Sequence, residues 1–121
     1  MANTAITMVQ LASGDNALPT SVAVVAANTH KITPTKRSGK VLIRCINTTA
    51  SSKVWTVVAG DQPAAGSAGQ GDLTFTLTDG STTPTERWLV LESARFMQSD
   101  GTYEITVAAA TTGSITAIQL P

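Results

Sequence analysis

The sequence predicts an all-β chain, an antiparallel β-sandwich or jelly-roll-like fold of eight to nine short strands without significant helix. Three observations predict it. Threonine occurs twenty times, and a β-branched side chain carrying a hydroxyl suits a pleated, half-wet surface. Apolar and polar residues alternate with period two in one short run after another, each bounded by turn residues. No stretch shows the apolar stripe of a helix. With 121 residues, 42% of them hydrophobic, the chain is sized for a single sandwich domain, 1–121, with 1–7 as an extended N-terminal arm.

The elements follow in order. "TAITMVQL" (4–11) alternates, with Ala5, Val9 and Leu11 on one face and Ile6 and Met8 on the other. "SVAVVAA" (21–27) and the short "HKIT" (30–33), stopped by Pro34, come next. "KVLIRCIN" (40–47) sets Val41, Ile43 and Cys45 against Leu42, Arg44 and Ile46, and a short connection to "KVWTVVA" (53–59) predicts a hairpin. In "LTFTLT" (73–78), Leu73, Phe75 and Leu77 point in and three threonines point out. "TERWLVLES" (85–93) continues after a kink into "ARFMQ" (94–98), and "SDGT" forms a hairpin turn into "YEITVAA" (103–109). A glycine turn at Gly113 leads to "SITAIQL" (114–120). "WLVL", "VVAA" and "TVVA" are apolar on both faces, so their outer faces are expected to meet a partner, a second copy of the chain first. Trp55, Trp88 and Tyr103 lie within strand patterns and are expected in the core.

Formal net charge is zero, which argues against a general nucleic-acid binder. The charges are unevenly placed. Asp15 is the only acid before residue 61, against six basic residues, whereas seven acids face Arg87 and Arg95 from Asp61 onward. Unless the fold interleaves the halves, one surface is basic and another acidic. No run is long enough to span a membrane, and "MANTAITMVQ" has neither the basic start nor the apolar core of a signal peptide. The single Cys45 precludes an internal disulfide, and Asn47, Thr48 and Thr49 read as a turn rather than a glycosylation acceptor.

Catalytic and metal chemistry find few candidates. His30 is the sole histidine and Cys45 lies mid-strand between apolar neighbours, so no Ser-His-Asp or Cys-His arrangement has a spare base. Asp61, Asp72, Asp79 and Asp100 all adjoin glycine, as turn residues do, and EF-hand spacing is missing. "GSAGQG" lacks the Gly-Lys-Ser/Thr of a phosphate loop and precedes a strand, not a helix. The expectation is a protein with no cofactor and no enzymatic activity. The basic stretch "HKITPTKRSGK" (30–40), with Lys31, Lys36, Arg37 and Lys40, is the candidate for meeting a polyanion or an acidic patch.

Four blocks carry a resemblance: "NTTASSKVWTVVAGDQP", "GQGDLTFTLTDGSTTPTERW", "LESARFMQSDGTYEI" and "TGSITAIQLP", together with the opening "MANTAIT". In these the chain resembles small virion proteins of tailed bacteriophages, of the head decoration or capsid cement type. The resemblance implies a β-sandwich made in the host cytoplasm and bound to the outside of the head. Its implied partner is the major capsid protein, and a homo-oligomer, a trimer first, is implied with it. Two interface candidates then join the basic stretch. The light loop "GDQPAAGSAGQGD" (60–72), with Gln62, Pro63, Ala64 and Gln70, can lie flat across a neighbour. The arm, with Asn3, Thr4 and Ile6, can add a strand to a neighbour's sheet. A tail or head-to-tail component, and a glycan-binding module using Trp55, Trp88 or Tyr103, are the alternatives.

Overall fold

The computed structural model describes residues 2–11, 13–14, 20–35, 40–61, 71–83 and 85–120. These form β1 Asn3–Ile6, β2 Met8–Gln10, β3 Val22–Ala23, β4 Thr29–Ile32, β5 Val41–Asn47, β6 Lys53–Val57, β7 Leu73–Leu77, β8 Thr85–Leu91, a helical turn α1 Ser93–Phe96, β9 Tyr103–Val107 and β10 Gly113–Gln119. The chain is nearly all β and builds a two-sheet sandwich. Sheet 1 runs β1-β4-β9-β6-β7; sheet 2 runs β2-β10-β5-β8, with β3 sharing the β2 edge of β10.

Alternation explains the interior. In β5 the odd residues Val41, Ile43, Cys45 and Asn47 are buried and the even ones half-buried. In β7 Phe75 and Leu77 are buried while Thr74 and Thr76 stay exposed. Trp55, Phe75, Tyr103 and Ile105 of sheet 1 meet Ile43, Cys45, Leu91 and Ile115 of sheet 2 in one core, which Phe96 and Met97 of the α1 segment extend. Trp55 stacks on Phe75 at 6.4 Å between centroids.

Connectivity differs from the expected hairpins. Apart from β2–β3 and the β6–β7 hairpin, each strand is followed by one in the other sheet. Residues 48–52 therefore arch from sheet 2 to sheet 1 rather than closing a β5–β6 hairpin, and the turns around Asp100 and Gly113 likewise cross between sheets. The run 4–11 splits at Thr7 into β1 and β2, one per sheet, and both pair in parallel, β1 with β4 and β2 with β10. The sheets are mixed, not purely antiparallel. Residues 93–96 form α1 where an extended continuation of β8 was expected; Phe96 N–H closes an α-type bond to the Glu92 carbonyl, which turns the chain out of sheet 2.

One seam holds the sheets together at the end of β5. Asn47 is fully buried, donates through Nδ2 to the carbonyls of Thr78 at 2.8 Å and Ser51 at 3.3 Å, and accepts from Thr49 N–H at 3.1 Å. The amide thus joins β5 of sheet 2 to the end of β7 in sheet 1. Gly80 fits against it closely: a Cβ there would run into the Asn47 carbonyl. The Asn-Thr-Thr triplet is indeed a turn, and its asparagine amide is committed to the interior.

Candidate interaction surface

The fold interleaves the two charge halves. Antiparallel pairing of β4 with β9 sets Lys31 opposite Glu104, and Lys31 Nζ lies 3.4 Å from that carboxylate and 3.2 Å from Asp100. Pairing of β5 with β8 likewise brings Arg44 to Glu86. Each of these pairs joins a base from the first half to an acid from the second, so the charge asymmetry of the sequence is cancelled locally. Asp100 beside it holds the Lys31 ammonium above its ordinary pKa, with Glu104 adding to the effect.

Of the basic stretch, His30 is a core residue, Lys31 is engaged as described and Lys40 is exposed, while Lys36 and Arg37 lie outside the described residues. The arm lies on its own chain. β1 is the edge strand of sheet 1; Ile6 is buried, Thr4 accepts from Asn28 Nδ2 at 2.8 Å, and Asn3 is exposed. Gln62, Pro63, Ala64 and Gln70 of the light loop also lie outside the described residues. Its two roots are tied down: Ala59 N–H donates to Asp72 at 2.6 Å, Gly60 N–H to the Arg95 carbonyl at 2.8 Å, and Gln98 Nε2 to the Ala59 carbonyl at 2.9 Å.

Turn duty accounts for two of the four aspartates, whereas Asp72 accepts from the Ala59 N–H and Asp61 from the Ser99 hydroxyl at 3.1 Å, both far away in the chain. Asp79 accepts from the Ser81 N–H and hydroxyl, and Asp100 from those of Thr102, bonds that hold both carboxyls below the usual carboxylate range. Among the described residues no three His, Cys, Asp or Glu side chains converge as a metal site. Burial pushes the Cys45 thiol up to about 12, a packed and unreactive state. No helix among the described residues is long and apolar enough to cross a membrane.

The outer faces of the two sheets differ. On sheet 1 the register lines up Thr74, Thr56 and Thr106 across β7, β6 and β9, with the Lys31–Glu104 pair beyond. On sheet 2 it lines up Val9, Ile118, Leu42 and Val90 across all four strands, and sets Arg44 beside Trp88 in the next rank. Trp88 is 51% exposed and Val90 49%, the two largest exposures among the large hydrophobic residues described. The Arg44 guanidinium sits 5.6 Å from the Trp88 ring centre and is paired with Glu86, so the charges nearest the tryptophan neutralise each other.

Trp88 corrects the expectation that all three large aromatics are core. Trp55 and Tyr103 are fully buried, but β8 is an edge strand whose even residues face outward. Only the two-sided apolarity of "WLVL" signalled the strip. Sequence reasoning did not single out Leu42, Arg44 or Glu86, which the strand register brings to it. The chain matches no protein-family model, no curated protein and no solved structure.

Proposed function

We infer that the chain is a non-enzymatic structural protein of a phage virion, one that binds the outer surface of the capsid shell and stabilises it. The observation that carries this reading is the outer face of sheet 2, where Trp88 and Val90 stand half exposed beside an internally neutralised Arg44–Glu86 pair. Such a strip suits a broad protein surface: covering it removes apolar area worth about 2–3 kcal/mol from water and leaves Arg44 matched by Glu86. The resemblance of the sequence blocks to decoration proteins supplies the identity of that surface, the major capsid protein, and a homo-oligomer, a trimer first. A buried thiol and the absence of disulfide chemistry suit assembly in a host cytoplasm, with the finished protein on the exterior of the head.

A second reading has its own observation. An exposed tryptophan flanked by a guanidinium and a carboxylate is a platform on which a sugar ring can stack and hydrogen-bond, which favours a glycan-binding module. Cosedimentation of the purified chain with DNA-free expanded heads, with tails assayed in parallel and a glycan array probed with the same sample, separates these. Saturable binding to heads at a fixed ratio to the capsid subunit is expected. Binding to tails alone moves the site to the tail, and array signals without head binding replace the reading by the glycan one.

A further inference from the structure

His30 is fully buried in sheet 1, and both of its ring nitrogens face backbone groups. Nε2 lies 2.9 Å from the Val25 amide nitrogen and Nδ1 lies 3.1 Å from the Ile105 carbonyl oxygen. A backbone N–H can only donate and a carbonyl can only accept. Nε2 must therefore be bare and Nδ1 must carry the proton, which fixes the ring as neutral and in one tautomer. A second proton has one place to go, onto Nε2, where it would point at the Val25 N–H and replace an attraction by a clash of donors.

The surroundings do not favour that proton. On β4 itself Lys31 is taken up by Asp100 and Glu104; on β9 the ionisable neighbours are Tyr103, buried, and Glu104, which faces outward with Lys31. Across the core β5 offers the buried Cys45 thiol and the outward Arg44. β1, β2, β3, residues 24–28 and β10 carry no ionisable side chain. No carboxylate in these elements faces the ring to stabilise an imidazolium. Burial lowers the pKa of His30 from its ordinary 6.5, with the bond to Ile105 opposing only in part.

What the ring holds is the turn that joins the sheets. Val24 N–H donates to the Gly113 carbonyl at 3.0 Å, Asn28 N–H to the Val25 carbonyl at 2.9 Å, Asn28 Nδ2 to Thr4, and Thr29 N–H to the Ala2 carbonyl at 3.1 Å. The turn therefore bridges β10, β4 and β1; Asn28 and Thr29 tie it to the edge strand β1, and His30 ties Val25 to the inner strands β4 and β9. Its neighbours are weakly held: β3 pairs over two residues and β1 is a four-residue edge strand. Local opening here disturbs far less packing than separation of the β10-β5-β8 block, where each pairing spans seven residues.

We propose that His30 is an acid-released clasp: protonation of Nε2 frees residues 24–28, and with them β3 and β1, while β5, β8 and β10 remain paired. Opening bares the edges of β4 and of the first half of β10, two rows of backbone groups able to accept another strand. The inference is independent of what the Trp88 strip binds. Because the folded ring resists protonation and the released ring does not, the clasp is fully closed above pH 6.5 and loosens as pH falls below it.

The test is an NMR titration of the full chain from pH 7.5 to 4.5, following the His30 imidazole and amide exchange corrected for its intrinsic pH dependence. Protection of the Val25 and Thr29 amides should fall by about tenfold per pH unit below 6.5 while Ile43 and Cys45 keep theirs. In His30→Gln, whose amide can accept from Val25 and donate to Ile105 without titrating, that loss should disappear. Three results each overturn the proposal: an imidazole titrating at or above 6.5, Val25 protection that ignores its titration, or Ile43 and Cys45 losing protection together with Val25. Should the variant not fold, the wild-type titration decides alone.

Discussion

The two outer faces of the sandwich use the same strand geometry for opposite ends. On sheet 1, Thr74, Thr56 and Thr106 stand in register beside an ion-paired Lys31 and Glu104, a surface content in water. On sheet 2, Leu42 and Val90 stand in register, and in the next rank Trp88 faces Arg44, whose charge Glu86 closes. Each face has an ion pair and an exposed valine, Val54 at 46% on sheet 1 and Val90 at 49% on sheet 2, so neither charge nor valine distinguishes them; the exposed Trp88 does. A monomer gains nothing in water from holding a tryptophan half exposed on an edge strand, whereas a bound surface would. Under the proposed function the protein is one-sided, with sheet 2, which carries Trp88, as its contact face.

That comparison requires the sheets to stay joined, and the largest effect is expected at their seam. Asn47→Ala leaves the Thr78 and Ser51 carbonyls and the Thr49 N–H without their partner, and should lower unfolding free energy by about 3 kcal/mol in urea denaturation. A loss below about 1 kcal/mol would show that the seam lies elsewhere.

Next comes the connection between β9 and β10, where Ala110 takes φ 63°, a left-handed conformation that a side chain resists. Ala110→Gly should raise stability by about 0.5–1 kcal/mol without touching either outer face, and a drop in melting temperature would contradict the strain. The balance of charge on sheet 1 is sharpened by Lys31→Ala. Its pairs are largely solvent-screened, so the melting temperature should fall by less than Ala110→Gly raises it, and the difference should shrink in high salt.

Stability against pH should fall from two onsets. The first lies below 6.5, where the unfolded chain takes up a proton that buried His30 refuses. The second lies below 3.8, where Asp79 and Asp100, held ionised by Ser81 and by Thr102, lose their contribution only as pH drops through their lowered pKa. Urea midpoints across pH 7 to 2 check this, and a single onset near 3.8 would remove the His30 contribution.

Much of the fold was legible in the sequence. Period-two alternation placed β5 and β7, separated the two faces of β5 and set Phe75 and Leu77 inward, because the rule concerns each strand alone. Pairing was not legible for the same reason. Alternation marks which residues face inward but not which strand lies beside which, and "TTASS" serves equally as a hairpin loop or as an arch between sheets. The ion pairs were hidden with it, since Lys31 meets Glu104 only through the β4–β9 register. Trp88 was misread because β8 is ambiguous in phase: Glu86, Trp88 and Val90 contain one charge and two apolar residues, and so do Arg87, Leu89 and Leu91. Burial of Leu91, with Arg87 5.5 Å over the Phe75 ring at the rim, settles the phase in favour of the odd residues.

The most direct test of one-sidedness compares Trp88→Glu on sheet 2 with Thr56→Glu on sheet 1, both checked for native fold, in cosedimentation with expanded DNA-free heads. The account predicts that Trp88→Glu weakens binding by about thirtyfold or more, the loss of a central aromatic anchor, while Thr56→Glu binds as the wild type does. Equal binding by both variants, or a loss confined to Thr56→Glu, would contradict the assignment of sheet 2 as the contact face.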